Sequence, residues 1–259
     1  MNLKDIAFKV PQERPDYSEA SDYVVSRIAE IIQASINKKQ NRIFIHTNLR
    51  RGLPLENINK VAGPFVEAWA IEQFDGIADD FKNPFDLMNV QAGKRLDLFD
   101  VILQFKRKTN GIKNSVDYVS ANVDVKATAE DIKTSGRSPN ITSYARIRSA
   151  YLEDPDYIFV ILSLKHRVFS ERNDQTSMTH GIMEVVSHAA YDLKHISDQD
   201  MSYNGALGTG QLQIRDIHYV TIQKHTTWEF CQLLDQKFIR SRGEEAWLKM
   251  ARKFGWIKL

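Results

Sequence analysis

The sequence has little cysteine and no long apolar run. Its single cysteine, Cys231, excludes an internal disulfide framework and is typical of a reducing compartment. The longest apolar run, Tyr157 to Leu164, is interrupted only by Ser163 and is far too short to span a bilayer. The first residues carry charges with no apolar stretch behind them, unlike a secretory signal peptide. We therefore expect a soluble, cytoplasmic protein without membrane contact.

Net charge is also small. The chain has 35 basic and 33 acidic residues and a formal charge of +2, which is not the balance of a protein that coats nucleic acid indiscriminately. Local basic clusters such as Lys106-Arg-Lys108 could still line a cleft, although charge runs usually face water. A phosphate-binding glycine loop, a histidine pair at metal-ligand spacing and a nucleophile elbow are all missing. These absences argue against a P-loop nucleotide-binding protein, a protein that binds metal through paired histidines, and a serine hydrolase with a nucleophile elbow.

One short stretch stands out by its alternation, Asn122-Val-Asp-Val-Lys126. In a β-strand its two valines would enter a core, while Asn122, Asp124 and Lys126 would line the opposite face. The carboxylate and the ammonium would then lie about 6 to 7 Å apart along the strand, close enough to hold a phosphate and a metal ion between them. The stretch predicts the catalytic strand of a metal-dependent nuclease.

A second carboxylate is needed for such chemistry, and Asp100 is the candidate. It begins an apolar run, Asp100-Val-Ile-Leu-Gln-Phe105, which is followed by basic residues and the turn signal Asn110-Gly111. Strand, turn and strand would form an antiparallel hairpin. The hairpin would bring Asp100 beside Asp124.

The competing interpretation of Asp124 and Lys126 is an exposed ion pair, because such pairs are common and stabilise little. Other Asp-x-Lys triplets occur in this chain, among them Asp131-Ile-Lys133, Asp192-Leu-Lys194 and Asp235-Gln-Lys237. Asp124 differs from these three in having an apolar strand with its own acid just upstream.

The rest of the chain predicts alternating helices and strands with two polar loops. Helices are predicted over 18–36, over 55–74 with an interruption at Gly63-Pro64, and over 140–152, 226–240 and 243–254. Strands are predicted over 42–47, 157–164 and 211–214. The polar loops lie at about 128–140, directly after the catalytic strand, and at about 198–210. With 42% hydrophobic residues, the chain can bury the core of a single domain over 1–259.

In these residues the chain resembles type II restriction endonucleases of the PD-(D/E)XK superfamily, nearly end to end. The blocks that carry the resemblance are Thr47-Asn-Leu49, Gly52-Leu-Pro-Leu-Glu-Asn-Ile-Asn-Lys60, Glu67-Ala-Trp-Ala70, Asn122-Val-Asp-Val-Lys-Ala-Thr128, Ser138-Pro-Asn-Ile-Thr-Ser143, Ala206-Leu-Gly-Thr-Gly210 and Asp216-Ile-His-Tyr-Val220. The resemblance implies an α/β (α+β) fold with a restriction-endonuclease-like core, in which helices flank a mixed central β-sheet.

It further implies hydrolysis of DNA phosphodiesters with Mg²⁺ as the cofactor. By resemblance, Asp100 and Asp124 ligate the magnesium ion, and Lys126 contacts the attacking water or the scissile phosphate. Glu67 is similar to the family's accessory acid, and its competing interpretation is a solvated helix carboxylate. Phe99 replaces the family's usual proline before the first acid, which leaves Asp97 as a substitute for Asp100.

Six residues in and after the two polar loops are implied to contact DNA. Amide side chains suit this role because they donate to and accept from one adenine edge together. The set is Arg137, Ser138, Asn140, Asn204, Gln211 and Gln213. Arg137 corresponds to a position at which a related enzyme disturbs base stacking.

The implied partner is double-stranded DNA carrying the palindrome GTTAAC, cut bluntly at its centre by a homodimer, and a related AT-centred hexamer is the alternative target. A cognate DNA methyltransferase would act on the same site without needing to bind this protein. Two rival functions stay open. A non-cutting DNA-binding module with this fold would be expected to lose Asp124 or Lys126, and a structure-selective nuclease would need less base-reading apparatus than two polar loops.

Overall fold

The computed structural model describes residues 6–80, 82–94, 96–108, 116–131, 139–206 and 210–258. They belong to two compact units. The central unit comprises Asp22–Gly136 and Val160–Tyr191, and the terminal unit comprises Met1–Ser21, Arg137–Phe159 and Asp192–Leu259. That the whole chain acts as a single domain stays a prediction.

The described helices and strands follow one another in a mixed order along the chain. They are α1 (Tyr17–Asn37), β1 (Arg42–Ile45), α2 (Leu55–Ala78), β2 (Leu87–Ala92), β3 (Val101–Lys108), β4 (Val116–Ala129), β5 (Asn140–Ser143), α3 (Tyr144–Glu153), β6 (Phe159–Arg172), β7 (Thr179–Asp192), β8 (Met201–Asn204), β9 (Gln211–Ile214), α4 (Thr227–Arg242) and α5 (Glu244–Lys253). Short 3-10 helices at Leu193–His195 and Asp198–Asp200 precede β8.

A six-stranded sheet, in the order β1-β7-β6-β4-β3-β2, forms the middle of the central unit. β1 pairs antiparallel with β7, and β2, β3 and β4 form an antiparallel meander. The described residues thus combine helices with a mixed central sheet, and the predicted α+β class is confirmed. The predicted hairpin of residues 98–127 is confirmed as β3 and β4.

The first helix follows its sequence pattern closely. Val24, Ile28, Ile31 and Ile32 are completely buried at the spacing of one helix face, so the helix predicted over 18–36 is confirmed. The second helix does not follow its pattern, because the interruption predicted at Pro64 is wrong. α2 runs unbroken through Pro64.

The physical reason lies in the packing on both sides of this proline. Ala62 and Val66 flank Pro64 and are completely buried. A proline inside a helix removes one hydrogen bond. Burial of Ala62 and Val66 holds the parts of α2 before and after Pro64 in one continuous helix in spite of that loss.

The terminal unit contains a three-stranded sheet, β5-β9-β8, whose neighbouring strands are antiparallel. The helices α3, α4 and α5 belong to the same unit. α4 begins with a capping box in which Thr226 and Glu229 exchange hydrogen bonds. The two C-terminal helices and β9 are confirmed. The largest fully buried side chains of this unit are mostly aromatic, Trp247, Trp256, Tyr144 and Tyr151 among them, and also include Arg148.

Several boundaries of helices, strands and loops predicted from the sequence are wrong. The helix predicted over 140–152 begins at Tyr144, because Asn140–Ser143 pairs with β9 as a strand. The loop predicted at 198–210 contains β8, and the loop predicted from residue 128 starts later, since β4 continues to Ala129. β2 and β7 were not predicted, and β6 extends beyond the predicted strand.

None of the helices in the described part of the chain combines the length and apolar character needed to cross a membrane.

Candidate active site

The hairpin fixes Asp100 against the strand that carries Asp124. Val101 pairs with Val123, so that Asp100 lies at the register position next to Asp124. The backbone nitrogen of Asp100 donates to the carbonyl oxygen of Val123 at 2.9 Å, and its Oδ2 accepts from the nitrogen of Val125 at 2.7 Å. The hydrogen bond from Val125 therefore orients the Asp100 carboxylate, and the pairing of β3 with β4 holds its backbone. The turn predicted at Asn110-Gly111 lies outside the described residues.

Gly93, directly after β2, supports Asp100 from the other side. Its nitrogen donates to the carbonyl oxygen of Asp100 at 2.6 Å. A Cβ at this position would lie 2.4 Å from the carbonyl oxygen of Phe99, which is too close for any side chain. A glycine is required here because the two backbone segments approach each other so closely.

Asp124 and Lys126 form a close pair on β4. Val123 and Val125 are completely buried, as the alternation predicted, and Asp124 is 5% exposed. Lys126 Nζ donates to Asp124 Oδ1 at 2.6 Å. Asp124 Oδ2 is buried and has no hydrogen-bond partner among the described residues. One oxygen of this carboxylate is therefore left for a ligand.

The electrostatic surroundings of Asp124 oppose its ionisation. Burial raises the pKa of Asp124 to about 7 against the opposing effect of the Lys126 ammonium, and the charges of Asp100 and Glu67 add to the rise. At neutral pH the carboxylate is thus poised between its two protonation states. A bound cation would favour the ionised form.

Glu67 completes this cluster from α2. It is half-buried, and burial together with the charge of Asp100 raises its pKa, while Lys126 lowers it. The interactions with Asp100 and Lys126 favour the accessory-acid interpretation of Glu67 over a solvated helix carboxylate. The structure therefore gathers Glu67, Asp100, Asp124 and Lys126 in one place.

The substitute acid, Asp97, has a different environment. Its side chain is exposed, and Oδ2 accepts from the backbone nitrogen of Lys94 at 2.8 Å within a turn. This local hydrogen bond occupies the carboxylate as a turn-forming group. Asp100 fits the role of first acid better.

The donor set fits a divalent cation that keeps an open coordination sphere. Among the described residues, no group of three or more His, Cys, Asp or Glu side chains is arranged to hold a metal ion by itself. Mg²⁺ is usually held by one or two carboxylates together with water and substrate phosphates. Asp100 and Asp124, with the unpartnered Oδ2 of Asp124, match that requirement.

A second polar surface lies on the three-stranded sheet of the terminal unit. In its register Asn140 is opposite Gln213, and Asn204 is opposite Gln211. Residues directly opposite each other in a ladder point to the same face. Four of the six predicted DNA-contacting residues therefore share one face of this sheet, and Leu212 and Ile214 are buried on the other. Arg137 and Ser138 lie outside the described residues.

Sequence reasoning missed two hydroxyl side chains on that face. Ser202 is opposite Gln213, and Ser143 is opposite Gln211. The alternation in Met201-Ser-Tyr-Asn204, with Met201 buried, was the available signal for Ser202. Amides and hydroxyls together make a surface rich in hydrogen-bonding groups and poor in charge.

Two comparisons with known proteins bear on this arrangement. The family model described as type II restriction endonuclease HpaI matches residues 4–255. The type II restriction enzyme HpaI of Haemophilus parainfluenzae is 52% identical over 260 residues, which cover 100% of both chains. Both matches span the four clustered candidate residues and the polar sheet.

Proposed function

Because the chain belongs to the HpaI family of type II restriction endonucleases, as the resemblance predicted, we propose that it cuts both strands of duplex DNA at GTTAAC, bluntly at the centre. The target is carried over from the resemblance. Identity of 52% over 260 residues, which cover both chains completely, supports it.

The observation that carries the proposal is the cluster of three acids around one lysine. Asp124 has a pKa of about 7 and an unpartnered oxygen, which is unfavourable for the isolated protein and suited to a cation and a phosphate. Type II restriction enzymes generally use a divalent metal, and we propose Mg²⁺ held by Asp100 and Asp124. When bound, such an ion lowers the pKa of a water ligand and neutralises charge on the phosphate.

The protein side chains supply position and charge. The backbone hydrogen bond from Val125 holds Asp100, and the salt bridge to Lys126 holds Asp124. Lys126, with a side chain 21% exposed, can turn its ammonium toward the scissile phosphate and stabilise the developing negative charge. Glu67 acts as the accessory acid, close enough to influence both Asp100 and Asp124.

Sequence recognition is assigned to the polar sheet and the preceding loop. Amides at Asn140, Asn204, Gln211 and Gln213 can each donate and accept, which suits adenine edges in the major groove. Arg137 and Ser138 complete the proposed set. We further propose that a homodimer reads the palindrome, because two-fold symmetry of the protein then matches that of the site. A methyltransferase acting on the same sequence would protect the host DNA.

The test is digestion of two plasmids that differ only in a single GTTAAC site. With magnesium, the plasmid carrying the site is expected to become linear with blunt ends, and the plasmid without it is expected to stay intact. Cutting at a different sequence would refute the proposed target and keep the restriction activity.

Two other outcomes correspond to the rival functions. Binding without cleavage in the presence of magnesium would indicate a non-cutting DNA-binding module. Cleavage confined to branched substrates would indicate a structure-selective nuclease. Each of these outcomes would refute the proposed function.

A further inference from the structure

One side of α2 continues from the active site toward the N-terminus of the helix. Asn59, Gly63 and Glu67 are spaced four residues apart and are successive members of one ridge on the helix surface. All three are half-buried. The ridge ends at Glu67, whose carboxylate is influenced by Asp100 and Lys126. A ligand that follows this ridge would therefore enter the active site.

The length of the ridge suits a DNA strand. Eight residues of helix separate Asn59 from Glu67, or about 12 Å along the helix axis. One DNA strand has a phosphate about every 3.4 Å along its axis, so this length corresponds to about three or four nucleotides.

Asn59 carries a polar atom that lacks a protein partner. Its Oδ1 is buried and accepts no hydrogen bond from the described residues. Such atoms are rare in folded proteins and are usually completed by a ligand or an ordered water. Rotation of the amide presents either the carbonyl oxygen or the NH₂ group at the same position. With the NH₂ group there, Asn59 could donate to an oxygen of a bound phosphate.

Gly63 leaves a gap in the ridge between Asn59 and Glu67. Among the described residues, the one atom that a Cβ at Gly63 would meet within 4 Å is Glu67 Oε1, at 4.0 Å. Gly63 directly precedes Pro64 in α2, and a Cβ before a proline disfavours helical backbone, so the fold itself favours glycine here. The same glycine leaves the helix backbone open to close approach by a ligand.

We propose that Asn59 and Gly63 bind the sugar-phosphate backbone of the strand being cut, along a ridge that ends at Glu67 in the active site. Asn59 is a positioning residue that donates to a phosphate oxygen beyond the scissile one, and Gly63 is the gap through which the backbone approaches α2. The inference rests on the proposed nuclease function. Contacts to phosphate position a strand without reading its sequence. The ridge therefore acts on cognate and unrelated duplexes alike.

The experiment compares Asn59→Ala and Gly63→Ala in the full-length protein, with Asn57→Ala as the matched control. Asn57 is an exposed asparagine on the same helix turn. Duplex binding is measured by fluorescence anisotropy in calcium, cleavage in magnesium as kcat and KM, and stability as Tm.

Asn59→Ala is expected to raise Kd about 10-fold both for a GTTAAC duplex and for a duplex without that site, and to raise KM about 10-fold for the GTTAAC duplex, the effect of one hydrogen bond to a charged group. Gly63→Ala is expected to weaken binding similarly while Tm changes little, because the helix preference of alanine and the restriction before Pro64 oppose each other. Asn57→Ala is expected to change none of these quantities. Asn59→Asp keeps the size of the side chain and adds repulsion, so its binding defect should exceed that of Asn59→Ala and shrink as salt is added.

Three results would overturn the inference. The first is that Asn59→Ala and Gly63→Ala bind and cut like the unchanged protein. The second is that Asn59→Ala lowers Tm and leaves binding intact, which would mean that the amide serves the fold through a water. The third is an effect confined to the GTTAAC duplex, which would indicate a base contact. If the unchanged protein cuts no duplex at all, the proposed function fails, and the inference fails with it.

Discussion

Two buried Asp-x-Lys triplets in this protein have the same spacing and opposite characters. Asp124-Val-Lys126 lies in the central unit and Asp192-Leu-Lys194 in the terminal unit, and both aspartates are at most 5% exposed. Asp192 accepts hydrogen bonds from Tyr17 Oη at 2.8 Å, from Ser21 Oγ at 2.7 Å and from the backbone nitrogen of Lys194 at 3.0 Å. Asp124 accepts from Lys126, and its second oxygen has no partner among the described residues.

The lysines of the two triplets, Lys194 and Lys126, also differ in their burial and in their partners. Lys194 is completely buried, and its Nζ donates to Glu13 Oε2 and, at 2.9 Å, to Thr227 Oγ1. Burial alone would raise the pKa of Glu13, but the hydrogen bonds from Lys194 and Thr227 and the Lys194 charge outweigh it, and the pKa is lowered. The charged form of Glu13 is thus favoured, whereas that of Asp124 is disfavoured.

The difference shows what separates a structural charge from a catalytic one. Burial lowers the pKa of Lys194, and its acidic partners oppose that shift, as a buried ion pair requires. Around Asp124 three acids share one lysine, and an oxygen is left open. Such an arrangement costs stability, and it persists in functional sites where a ligand supplies the missing partner.

The largest effect is expected from Asp124→Ala. If Asp124 holds the metal as proposed, its removal eliminates several kcal/mol of transition-state stabilisation, so cleavage should fall at least about 10³-fold. Specific binding to duplex DNA in calcium should be retained, because recognition is assigned to other residues. Single-turnover cleavage and calcium-supported binding are the measurements. Retained cleavage would show that the catalytic strand has been misassigned.

Asp192→Asn is the matched control for that comparison. It removes a charge from the other triplet, in which the lysine also lies two positions after the aspartate. Folded Asp192→Asn protein is expected to cut at the unchanged rate, and its free energy of unfolding should fall. Loss of cleavage in the folded protein would mean that Asp192 also takes part in cleavage, and that its triplet is not purely structural.

The next effect concerns stability. Lys194→Met keeps the length of the side chain and leaves Glu13 without its cation, so the free energy of unfolding should fall by about 3 to 5 kcal/mol, as when one partner of a buried pair is removed. Urea unfolding at neutral pH measures the change. A loss below about 1 kcal/mol would place this pair with exposed salt bridges instead.

The two acids should also respond to pH in opposite directions in metal-free protein. The folded-state pKa of Asp124 is raised from 3.8 to about 7, so its contribution to stability is present below about pH 4 and is lost as pH rises through 7. The pKa of Glu13 is lowered from 4.5, so its contribution is present above that pH and is lost as pH falls below it.

Unfolding free energies measured in EDTA from pH 3 to pH 8 check this. Asp124→Asn should remove a decline of up to about 3 kcal/mol between pH 5 and pH 8. Glu13→Gln should remove part of the decline at acid pH and leave the neutral range unchanged. If Asp124→Asn leaves the slope above pH 5 unaltered, the environment of Asp124 is not as repulsive as its neighbours indicate.

The catalytic hairpin could be predicted from sequence because its information is local. Alternation in Asn122–Lys126 and the apolar run after Asp100 determine which faces are buried, and antiparallel pairing across a short connection brings the two acids together. The environment of Glu67 could not be predicted, because it depends on how α2 packs on the sheet. An isolated glutamate on a helix carries no sign of its partners.

The polar sheet shows the same limit. Ile141, Tyr144 and Ile147 have a spacing compatible with a helix, and Asn140–Ser143 becomes a strand through pairing with β9, about seventy residues later. Ladder partners at that separation leave no trace in a local window. The alternation in Gln211-Leu-Gln-Ile214 is enough to place the two amides on one face, but the residues opposite them could be identified only from the register.

The smallest effect is expected at the third triplet, Asp235-Gln-Lys237. Lys237 Nζ donates to the carbonyl oxygens of Asp198 at 2.9 Å and Met201 at 2.7 Å, and to Asp198 Oδ1 at 2.5 Å. The Asp198 side chain is 47% exposed, so water can replace the lost partner. Lys237→Met should therefore lower the free energy of unfolding by only about 1 to 2 kcal/mol.

This last substitution also probes the polar sheet, because β8 begins at Met201 and ends at Asn204. Loosening the start of β8 should reduce affinity for the GTTAAC duplex in calcium several-fold without changing kcat in magnesium. Urea unfolding and fluorescence anisotropy measure the two effects, with Lys249→Met on α5 as an exposed-lysine control. If Lys237→Met destabilises the protein as much as Lys194→Met, the number of satisfied partners matters more than burial, and the contrast between the triplets must be recast on that basis.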